Sequence, residues 1–502
     1  MDTEALVRLS SVIVRGEVES IVSRPDASPT RVHTDVTIRV AESLKGAAGQ
    51  ERITLKLLGG SVDGYEGVVS GAPVFGKGER VLVFLTVTKK GALTVTGLHQ
   101  GKFRIQSEGG VDVAVQEGAG DAGVVLRPGQ QRADGRQPLT GLLDQVRELV
   151  ERQPAPKAAV VPAPAAPADA LSPADLGFTL HPIFPLRWFE PDSGIPVTMV
   201  FNPANAPSVP GGVRPQFEAA LNNWTNVTGA TIVMHDGGDT TNACIVVSDH
   251  VNTISHGDPC NQLDLFPFDP DTCSGVLAVT VTWFTLAETK VVNGVTFARL
   301  VDTDMVTNAG TDCFFAGPGN YGEVIAHEMG HVTGLGHSCG DALTPACAGL
   351  PVADDATMRA FAHGDGRGPV PHEGDVNGVR FIYPPAGFVD AELNGSAFTT
   401  GQTSSLTADF NGTAKADVYV FVTLPGGGFF ALGASAPNVL VPAAANLQLG
   451  FANDVPLFTH TFAGSEAAGA YTWYVLLVRP GQNPLQSANW LGVDAAPFTF
   501  TP

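Results

Sequence analysis

Apolar and polar residues alternate through the first hundred residues in the pattern of short β-strands. Val36, Ile38 and Val40 occupy every second position, and residues 81–85 are apolar throughout. Alternation is typical of a strand with one face on a core, and a short apolar run indicates a strand buried on both faces. Several such strands separated by glycine-rich turns predict a small β-barrel or sandwich.

A helix is predicted to follow these strands, and a linker to follow the helix. Directly after Pro138, an apolar stripe at helical spacing is formed by Leu139, Leu142, Leu143, Val146 and Val150. Residues 154–175 are rich in proline and alanine, a composition that cannot build a core and is typical of an extended, semi-rigid linker. We therefore expect an N-terminal β module with its closing helix at 1–153 and a Pro/Ala-rich linker at 154–182.

The periodicity beyond residue 182 predicts two further domains. Val197, Met199 and Phe201 alternate as a strand, a helical stripe follows between 213 and 224, and strand-like runs occupy 231–234, 276–284 and 300–306. Residues 386–502 return to strand patterns separated by glycine-rich turns. A chain of 502 residues is long enough for about three domains. We expect a multidomain protein with an N-terminal β-barrel, a central α+β domain at 183–385 and a C-terminal β-sandwich at 386–502.

The strongest chemical signal lies at 323–338, which reads Glu-Val-Ile-Ala-His-Glu-Met-Gly-His-Val-Thr-Gly-Leu-Gly-His-Ser. His327 and His331 are four residues apart and share one face of a helix, so both imidazoles can bind one Zn²⁺. Glu328 lies between them, where its carboxylate can reach a water on that metal. Gly334 can take a positive φ, which lets His337 return as a third ligand. Three protein ligands leave a position for water, as in a catalytic zinc site.

The extended pattern H-E-x-x-H-x-x-G-x-x-H resembles the metzincin zinc endopeptidases, and Gly-Leu-Gly-His-Ser at 334–338 is typical of their matrixin branch. The resemblance covers about 186–384. It implies a methionine turn below the zinc, which Ala356-Thr357-Met358 fits, and a final helix within 371–383. Matrixins usually have two adjacent aspartates in that helix, whereas this chain has Gly374-Asp375, and an insertion with two cysteines separates His337 from Met358.

The metzincin resemblance implies a zinc metalloendopeptidase that hydrolyses peptide bonds in protein or peptide substrates. One catalytic Zn²⁺ is expected on His327, His331 and His337, with Glu328 as the general base and Met358 as an apolar floor. A second resemblance concerns residues 1–108, where the stretches 14–18, 44–46 and 78–85 together are similar to netrin-like domains, which are oligonucleotide-binding-type (OB) barrels. That group includes tissue inhibitors of metalloproteinases, but their defining cysteines are absent here.

Other polar residues leave alternatives open. His256-Gly257-Asp258 resembles the start of the structural zinc site of matrixins, but no histidine lies between His256 and His327, so a loop histidine is the preferred interpretation. Four carboxylates lie in one loop and fit either a Ca²⁺ site or a solvated acidic loop, namely Asp258, Asp264, Asp269 and Asp271. His363 and His372 are interpreted as surface residues.

Charge and cysteine placement bear on partners and compartment. The formal net charge of −21 argues against nucleic acid and anionic membranes as partners, and no apolar run reaches the length of a membrane span. All six cysteines lie between residues 244 and 347 without C-x-x-C spacing, which favours disulfides and secretion over free thiols in a cytosolic enzyme. Cys339 with Cys347 and Cys260 with Cys273 are candidate pairs. Residues 1–4 do not resemble a leader peptide, so we expect a leader to have been removed.

The leading hypothesis is a secreted zinc-dependent endopeptidase. One alternative is a secreted protein that keeps the protease fold without turnover. Another is an adhesion or binding protein whose β modules carry the main function, with surface or glycan contact through the C-terminal domain. Tyr471, Trp473 and Trp490 are candidates for a carbohydrate platform, although aromatic residues at strand spacing are more often core. The N-terminal module either covers the active-site cleft or merely accompanies the protease. Residues 1–243 contain no cysteine, so a propeptide cysteine cannot block the zinc.

Overall fold

The computed structural model describes residues 3–25, 32–62, 64–69, 72–88, 91–96, 98–116, 136–152, 176–246, 249–263, 266, 268–340, 344 and 346–502. The chain divides into two compact units. The first comprises Met1–Asn226, Ile232–Lys290 and Phe297–Gly378, and the second comprises Val227–Thr231, Val291–Thr296 and Val379–Pro502. Strands dominate both units.

The N-terminal part of the first unit is a β module with two helices. Its elements are α1 (Thr3–Leu9), β1 (Val12–Pro25), β2 (Val32–Lys45), β3 (Arg52–Leu58), β4 (Gly60–Val62), β5 (Tyr65–Val69), β6 (Arg80–Val87), β7 (Leu93–Val95), a 3₁₀-helix (Leu98–Gly101), β8 (Lys102–Glu108), β9 (Val111–Gln116), β10 (Arg136–Pro138) and α2 (Leu139–Arg152). Strands β1, β2, β3, β7 and β6 pair in that order, and β6 pairs again with β1, so five strands close a barrel. The predicted small barrel and its closing helix are thereby confirmed.

The apolar run at 81–85 is explained by burial on both faces of β6. Val81, Val83 and Leu85 point into the barrel core. Leu82 and Phe84 lie in a second core, together with apolar residues of α1 and α2. A helix therefore covers the outer face of this strand, which is why no polar residue alternates with the apolar ones.

The rest of the first unit is built around one mixed sheet. Its elements are β11 (Leu186–Arg187), a 3₁₀-helix (Glu190–Ser193), β12 (Val197–Phe201), α3 (Val213–Thr225), β13 (Met234–Asp239), β14 (Asn252–Ser255), β15 (Phe268–Asp269), β16 (Ser274–Gly275), β17 (Ala278–Val292), β18 (Val295–Thr307), α4 (Asp312–Phe315), α5 (Asn320–Val332), α6 (Pro351–Asp355) and α7 (Glu373–Ile382), of which β17, β18 and α7 continue into the second unit. The sheet order is β13-β12-β14-β18-β17-β5-β4. Its last two strands therefore come from the N-terminal module.

Three disulfides tie together the loops of this unit. They join Cys244 to Cys260, Cys273 to Cys313, and Cys339 to Cys347. The predicted Cys339–Cys347 pair is confirmed. The suggested Cys260–Cys273 pair is wrong, because each of these residues has a partner from a different part of the chain. All six cysteines are paired, as the even, clustered set predicted.

Only part of the predicted linker lies within the described residues. Residues 154–175 fall outside them, whereas residues 176–182 are packed within the first unit. Phe178 is buried, Leu180 forms an antiparallel bridge with Leu335, and the Gly336 N–H donates to the Thr179 carbonyl at 3.0 Å. The segment just before the central sheet is therefore held against the turn that follows α5.

The second unit contains two β-sheets. Its strands are β19 (Phe388–Leu393), β20 (Ala397–Thr399), β21 (Thr403–Asn411), β22 (Lys415–Thr423), β23 (Phe429–Ala431), β24 (Ala444–Gln448), β25 (Ala452–Thr461), β26 (Gly469–Val478) and β27 (Trp490–Thr501), with a 3₁₀-helix at Ser487–Asn489. One sheet has the order β19-β21-β25 and the other β20-β27-β26-β22-β23, with β24 paired to β22. Leu406 and Ala408 of the first sheet share an apolar core with Val418, Val475 and Phe500 of the second.

The aromatic residues considered for a carbohydrate platform do not lie on one surface. Tyr471 and Trp473 belong to the core of the second unit and are 8% and 4% exposed. Trp490 is 36% exposed, and its indole N–H donates to the Pro484 carbonyl at 2.7 Å. For Tyr471 and Trp473, the interpretation as core residues is confirmed. Among the described residues, no helix has both the length and the apolar character needed to cross a membrane.

Candidate metal centre

Helix α5 and the turn after it bring three histidines together. The rings of His327 and His331 lie 4.9 Å apart on the helix, measured between centroids. The His337 ring lies 5.2 Å from His327 and 4.9 Å from His331. The return of the chain depends on Gly334, which has the predicted positive φ, at +98°. An added Cβ at Gly334 would lie 2.2 Å from the Leu186 carbonyl oxygen, so both conformation and space require glycine here.

The donor atoms of these histidines fit a divalent metal such as Zn²⁺. One ring nitrogen from each residue lies within 4.8 Å of the others. His327 Nδ1 is 2.8 Å from the Thr357 carbonyl oxygen, and His331 Nδ1 is 2.9 Å from the Leu335 carbonyl oxygen. Because a carbonyl can only accept, each Nδ1 carries the proton and each Nε2 keeps a lone pair for a metal. The backbone thus sets the tautomer that zinc binding needs.

A second cluster of metal-binding residue types is explained without a metal. Among the described residues, the only other group at ligand spacing is Cys339, Cys347 and Asp354. Its two cysteines are joined in a disulfide, so they offer no thiolate. The histidine cluster is therefore the candidate metal centre among the described residues.

Glu328 is held beside the histidine cluster by a threonine from the sheet. Its side chain is 5% exposed, and its Oε2 accepts a hydrogen bond of 2.6 Å from Thr280 Oγ1 on β17. Burial raises the pKa of Glu328 to about 7, while the bond from Thr280 and the nearby His337 act to lower it. A carboxyl group with such a pKa can take up and release a proton near neutral pH. Thr280 was not predicted as a site residue from the sequence, because it belongs to the strand-like run at 276–284 and to no motif.

The turn at Ala356-Thr357-Met358 packs against helix α5. Met358 is 1% exposed, and an added Cβ at Gly330 of α5 would lie 2.0 Å from its Sδ. Asp375 of α7 holds the turn, because its carboxylate accepts the N–H groups of Thr357 at 2.7 Å, Met358 at 3.0 Å and His372 at 2.8 Å. Burial raises the pKa of Asp375, and these bonds oppose that shift. Met358 therefore packs against α5, and its role as the floor of a zinc site stays a prediction.

The glycine at position 374 also has a structural reason. An added Cβ there would lie 2.3 Å from the Gly177 carbonyl oxygen. The segment before the central sheet thus passes over the start of α7, where Asn377 also donates to the Leu176 carbonyl at 3.1 Å. A second aspartate next to Asp375 would not fit unless this segment moved.

The interpretation of His363 as a surface residue is wrong. Its side chain is 9% exposed, with Nδ1 3.1 Å from Glu323 Oε1 and Nε2 2.8 Å from the Asp354 carbonyl oxygen. Glu323, in α5, also accepts the backbone N–H groups of His363 and Gly364. His363 therefore links α5 to the segment after Met358. The side chain of His372 is 27% exposed, and its Nδ1 lies 2.9 Å from Asp355 Oδ2. His372 is therefore closer than His363 to the surface position that was predicted for both.

His256 is a satisfied core residue. It is fully buried, with Nδ1 3.1 Å from the Asn202 carbonyl oxygen and Nε2 2.8 Å from the Tyr321 hydroxyl oxygen. Burial lowers its pKa to about 4, so the ring is neutral at pH 7. His256 thereby connects the end of β12, through Asn202, to α5, through Tyr321. His256 lies in the loop after β14, as the sequence analysis expected, but its ring is buried inside the unit.

Two of the acidic residues considered for calcium, Asp258 and Asp269, each stabilise a local turn. Asp258 accepts the backbone N–H groups of Gln262 at 2.6 Å and Leu263 at 2.9 Å. Asp269 accepts from the Asp271 N–H at 2.9 Å and from the Thr272 hydroxyl at 2.8 Å. Asp264 lies outside the described residues. A calcium ion at this loop stays a prediction.

One buried histidine near the metal centre carried no sequence signal. His181 is 4% exposed, and burial lowers its pKa to about 4. It follows Leu180, which bridges to the turn between His331 and His337. A single histidine in a proline-containing segment has no periodicity to reveal its position, so only the fold brings it to this site.

No protein-family model, curated protein or solved structure matches the chain in comparisons of its sequence and fold.

Proposed function

We propose that the protein is a zinc-dependent endopeptidase of the metzincin type, closest to the matrixins. One observation carries the proposal: His327, His331 and His337 converge with their ring nitrogens within 4.8 Å, and the buried carboxyl of Glu328 lies beside them. The turn at Met358 supports the same assignment. The closed five-stranded barrel of the N-terminal module fits an OB or netrin-like fold, and the two sheets that share a core in the second unit fit a β-sandwich.

The chemistry divides between the metal and the protein. A zinc ion bound by three imidazoles supplies a Lewis acid that polarises a carbonyl group and acidifies a water molecule. Glu328 takes the proton of the attacking water on Oε1, because Oε2 is engaged by Thr280 Oγ1. The carboxyl group then delivers that proton to the leaving amine nitrogen. Thr280 orients the carboxylate, and the carbonyls of Thr357 and Leu335 orient two of the imidazoles.

The proposed function includes a cellular location and a substrate class. Three disulfides are consistent with an oxidising compartment, so we place the enzyme outside the cell, acting on proteins or peptides. The burial of Tyr471 and Trp473 removes two of the three residues considered for a glycan platform. The endopeptidase is therefore preferred over a binding protein, and glycan contact through residues 386–502 stays a prediction.

The test is cleavage of a peptide library by the purified protein, with and without a chelator, beside zinc quantification. We expect cleavage that the chelator abolishes and zinc restores, with about one zinc per chain. His331→Ala should lose the zinc, whereas His235→Ala, at an exposed position on β13, should keep it. Zinc content that is unchanged in His331→Ala would contradict the proposed ligand set.

A further inference from the structure

The edge of the central sheet is occupied by a hairpin of the N-terminal module. Strands β4 and β5 form this edge hairpin, Gly60–Val69, in which Gly60 pairs with Gly67 and Val62 with Tyr65. Strand β5 then pairs antiparallel with β17 from Glu66 opposite Phe284 to Val69 opposite Val281. Strand β17 is the last strand that residues 186–307 contribute to the sheet. Without the hairpin, its backbone at 281–284 would have a free hydrogen-bonding edge.

The hairpin is fitted to this edge by its side chains as well as its backbone. An added Cβ at Gly67 would lie 2.2 Å from Cζ3 of Trp283, so the glycine rests on the indole ring, which is 2% exposed. Val69 belongs to the same apolar core as Val281 and Trp283, with Val62 packed against it. The N-terminal module is therefore docked on the central sheet within one compact unit.

The occupied edge lies next to the candidate metal centre. Thr280, whose hydroxyl donates to Glu328, immediately precedes Val281, where the pairing with β5 ends. Extended peptides commonly bind a protein by adding a strand to an exposed sheet edge, through backbone hydrogen bonds. Strand β17 is the strand that reaches Glu328, so its edge would guide an extended peptide toward the metal centre. At 281–284 strand β5 already takes that position.

We propose that the edge hairpin is an intramolecular occupant of the peptide-binding edge of β17 and restrains the cleavage of extended substrates. The proposal rests on the proposed endopeptidase function. An extended peptide binds along β17 only when the hairpin has left that edge. A short peptide that reaches only the metal centre does not compete with the hairpin. The N-terminal module thus regulates the enzyme by strand competition, without a cysteine.

The test uses full-length protein with Gly67→Val, because the added side chain must displace either the hairpin or Trp283. The control is Gly76→Val in the same module, where the nearest atom to an added Cβ is 3.9 Å away. The rate constant kcat/KM is measured for a peptide of about ten residues and for one of about four around the same scissile bond, so that only the longer can pair along the strand. Thermal unfolding checks that both variants fold, with Gly67→Ala as the milder replacement.

We expect Gly67→Val to raise kcat/KM for the long peptide by about tenfold. This is the rise that follows when the hairpin is off the edge in about a tenth of wild-type molecules and in nearly all molecules of the variant. The short peptide and the Gly76→Val control should show wild-type rates. Equal rates for the long peptide in all three proteins would overturn the strand-competition proposal and leave the endopeptidase proposal intact. Failure of every protein to hydrolyse either peptide, with zinc bound, would overturn the proposed function and the hairpin's role with it.

Hydrogen exchange supplies a second readout, which does not depend on turnover. In Glu328→Ala, adding the long peptide should expose the amides of residues 66–69 while those of 281–284 stay protected, because one strand replaces another. Peptide binding that leaves residues 66–69 fully protected would contradict the proposal.

Discussion

Asp375 stabilises the floor of the candidate metal centre through three backbone hydrogen bonds. We predict that Asp375→Ala leaves the N–H groups of Thr357, Met358 and His372 without their acceptor. A buried donor without a partner costs about 1–3 kcal/mol, so the free energy of unfolding should fall by about 3 kcal/mol or more. Urea unfolding measures the loss, and Glu373→Ala, at an exposed position in the same helix, is the control. Equal midpoints for the two variants would show that Asp375 does not hold the turn.

Asp302 of β18 makes stability depend on pH. It is fully buried beside Asp304, and burial, then the charge of Asp249, raises its pKa to about 7. A carboxyl group whose pKa is raised on folding stabilises the folded state fully below its usual pKa, and this contribution is lost as pH rises toward 7. We therefore predict that Asp302→Asn is more stable than the wild type at pH 8 and not at pH 4.

Thermal unfolding across this pH range measures the difference, with the exposed Asp271→Asn as the control. The backbone N–H of His250 donates to the Asp302 carboxylate, and the amide oxygen of an asparagine side chain at this position can accept the same bond. A stability gain that is the same at pH 4 and pH 8 would contradict the argument.

At the scale of single residues, the sequence predicted the convergence of His327, His331 and His337 better than the environment of the histidines around them. Their convergence follows from spacing on one helix and one glycine turn, which are local properties of residues 327–337. The burial of His256 and His363 depends on partners from distant segments, such as Tyr321 for His256. An isolated histidine has no periodicity that would indicate such a partner, so its environment could not be predicted.

Among the elements, the turn between α5 and His337 has little room for a side chain at Gly334. We predict that Gly334→Ala weakens zinc binding at least about tenfold, because positive-φ strain and the clash with the Leu186 carbonyl cost on the order of 1–3 kcal/mol. The control is Gly349→Ala, which has a φ of +87° but open space around an added Cβ. Competition with a chelator measures the affinity. Equal zinc affinities in the two variants would mean that the turn adapts without moving His337.

The elements show which parts of the fold a sequence pattern can predict. Strand β6 and helix α2 were predicted because their apolar patterns reflect burial close by in the chain. The edge hairpin was not, since β4 and β5 are short and contain glycine, and β5 pairs with a strand that is distant in the sequence, β17. The disulfides follow the same rule: Cys339–Cys347 was predicted across a short loop, whereas the longer-range pair Cys273–Cys313 was missed.

For the molecule as a whole, we predict that limited proteolysis cuts first between residues 154 and 175 and that the two fragments stay together. The composition of that segment favours cleavage, whereas Thr179 and Leu180 are bonded to the turn after α5. The fragments share the core around Trp283 and the pairing of β5 with β17. Size-exclusion chromatography of the cut protein should give one peak containing both. Separation without denaturant, or a first cut at another site, would contradict this prediction.

The central claim is zinc-dependent peptide hydrolysis in which Glu328 carries the proton. The most direct measurement compares the kcat of the zinc-loaded wild type with that of zinc-loaded Glu328→Ala on one peptide substrate. Glu151→Ala, at an exposed position at the end of α2, is the matched control. Both variants should keep about one zinc per chain, since Glu328 is not a ligand. We predict that Glu328→Ala loses at least about a hundredfold in kcat, the usual worth of a general base, while Glu151→Ala keeps the wild-type rate. Near wild-type hydrolysis by zinc-loaded Glu328→Ala would contradict the proposed mechanism.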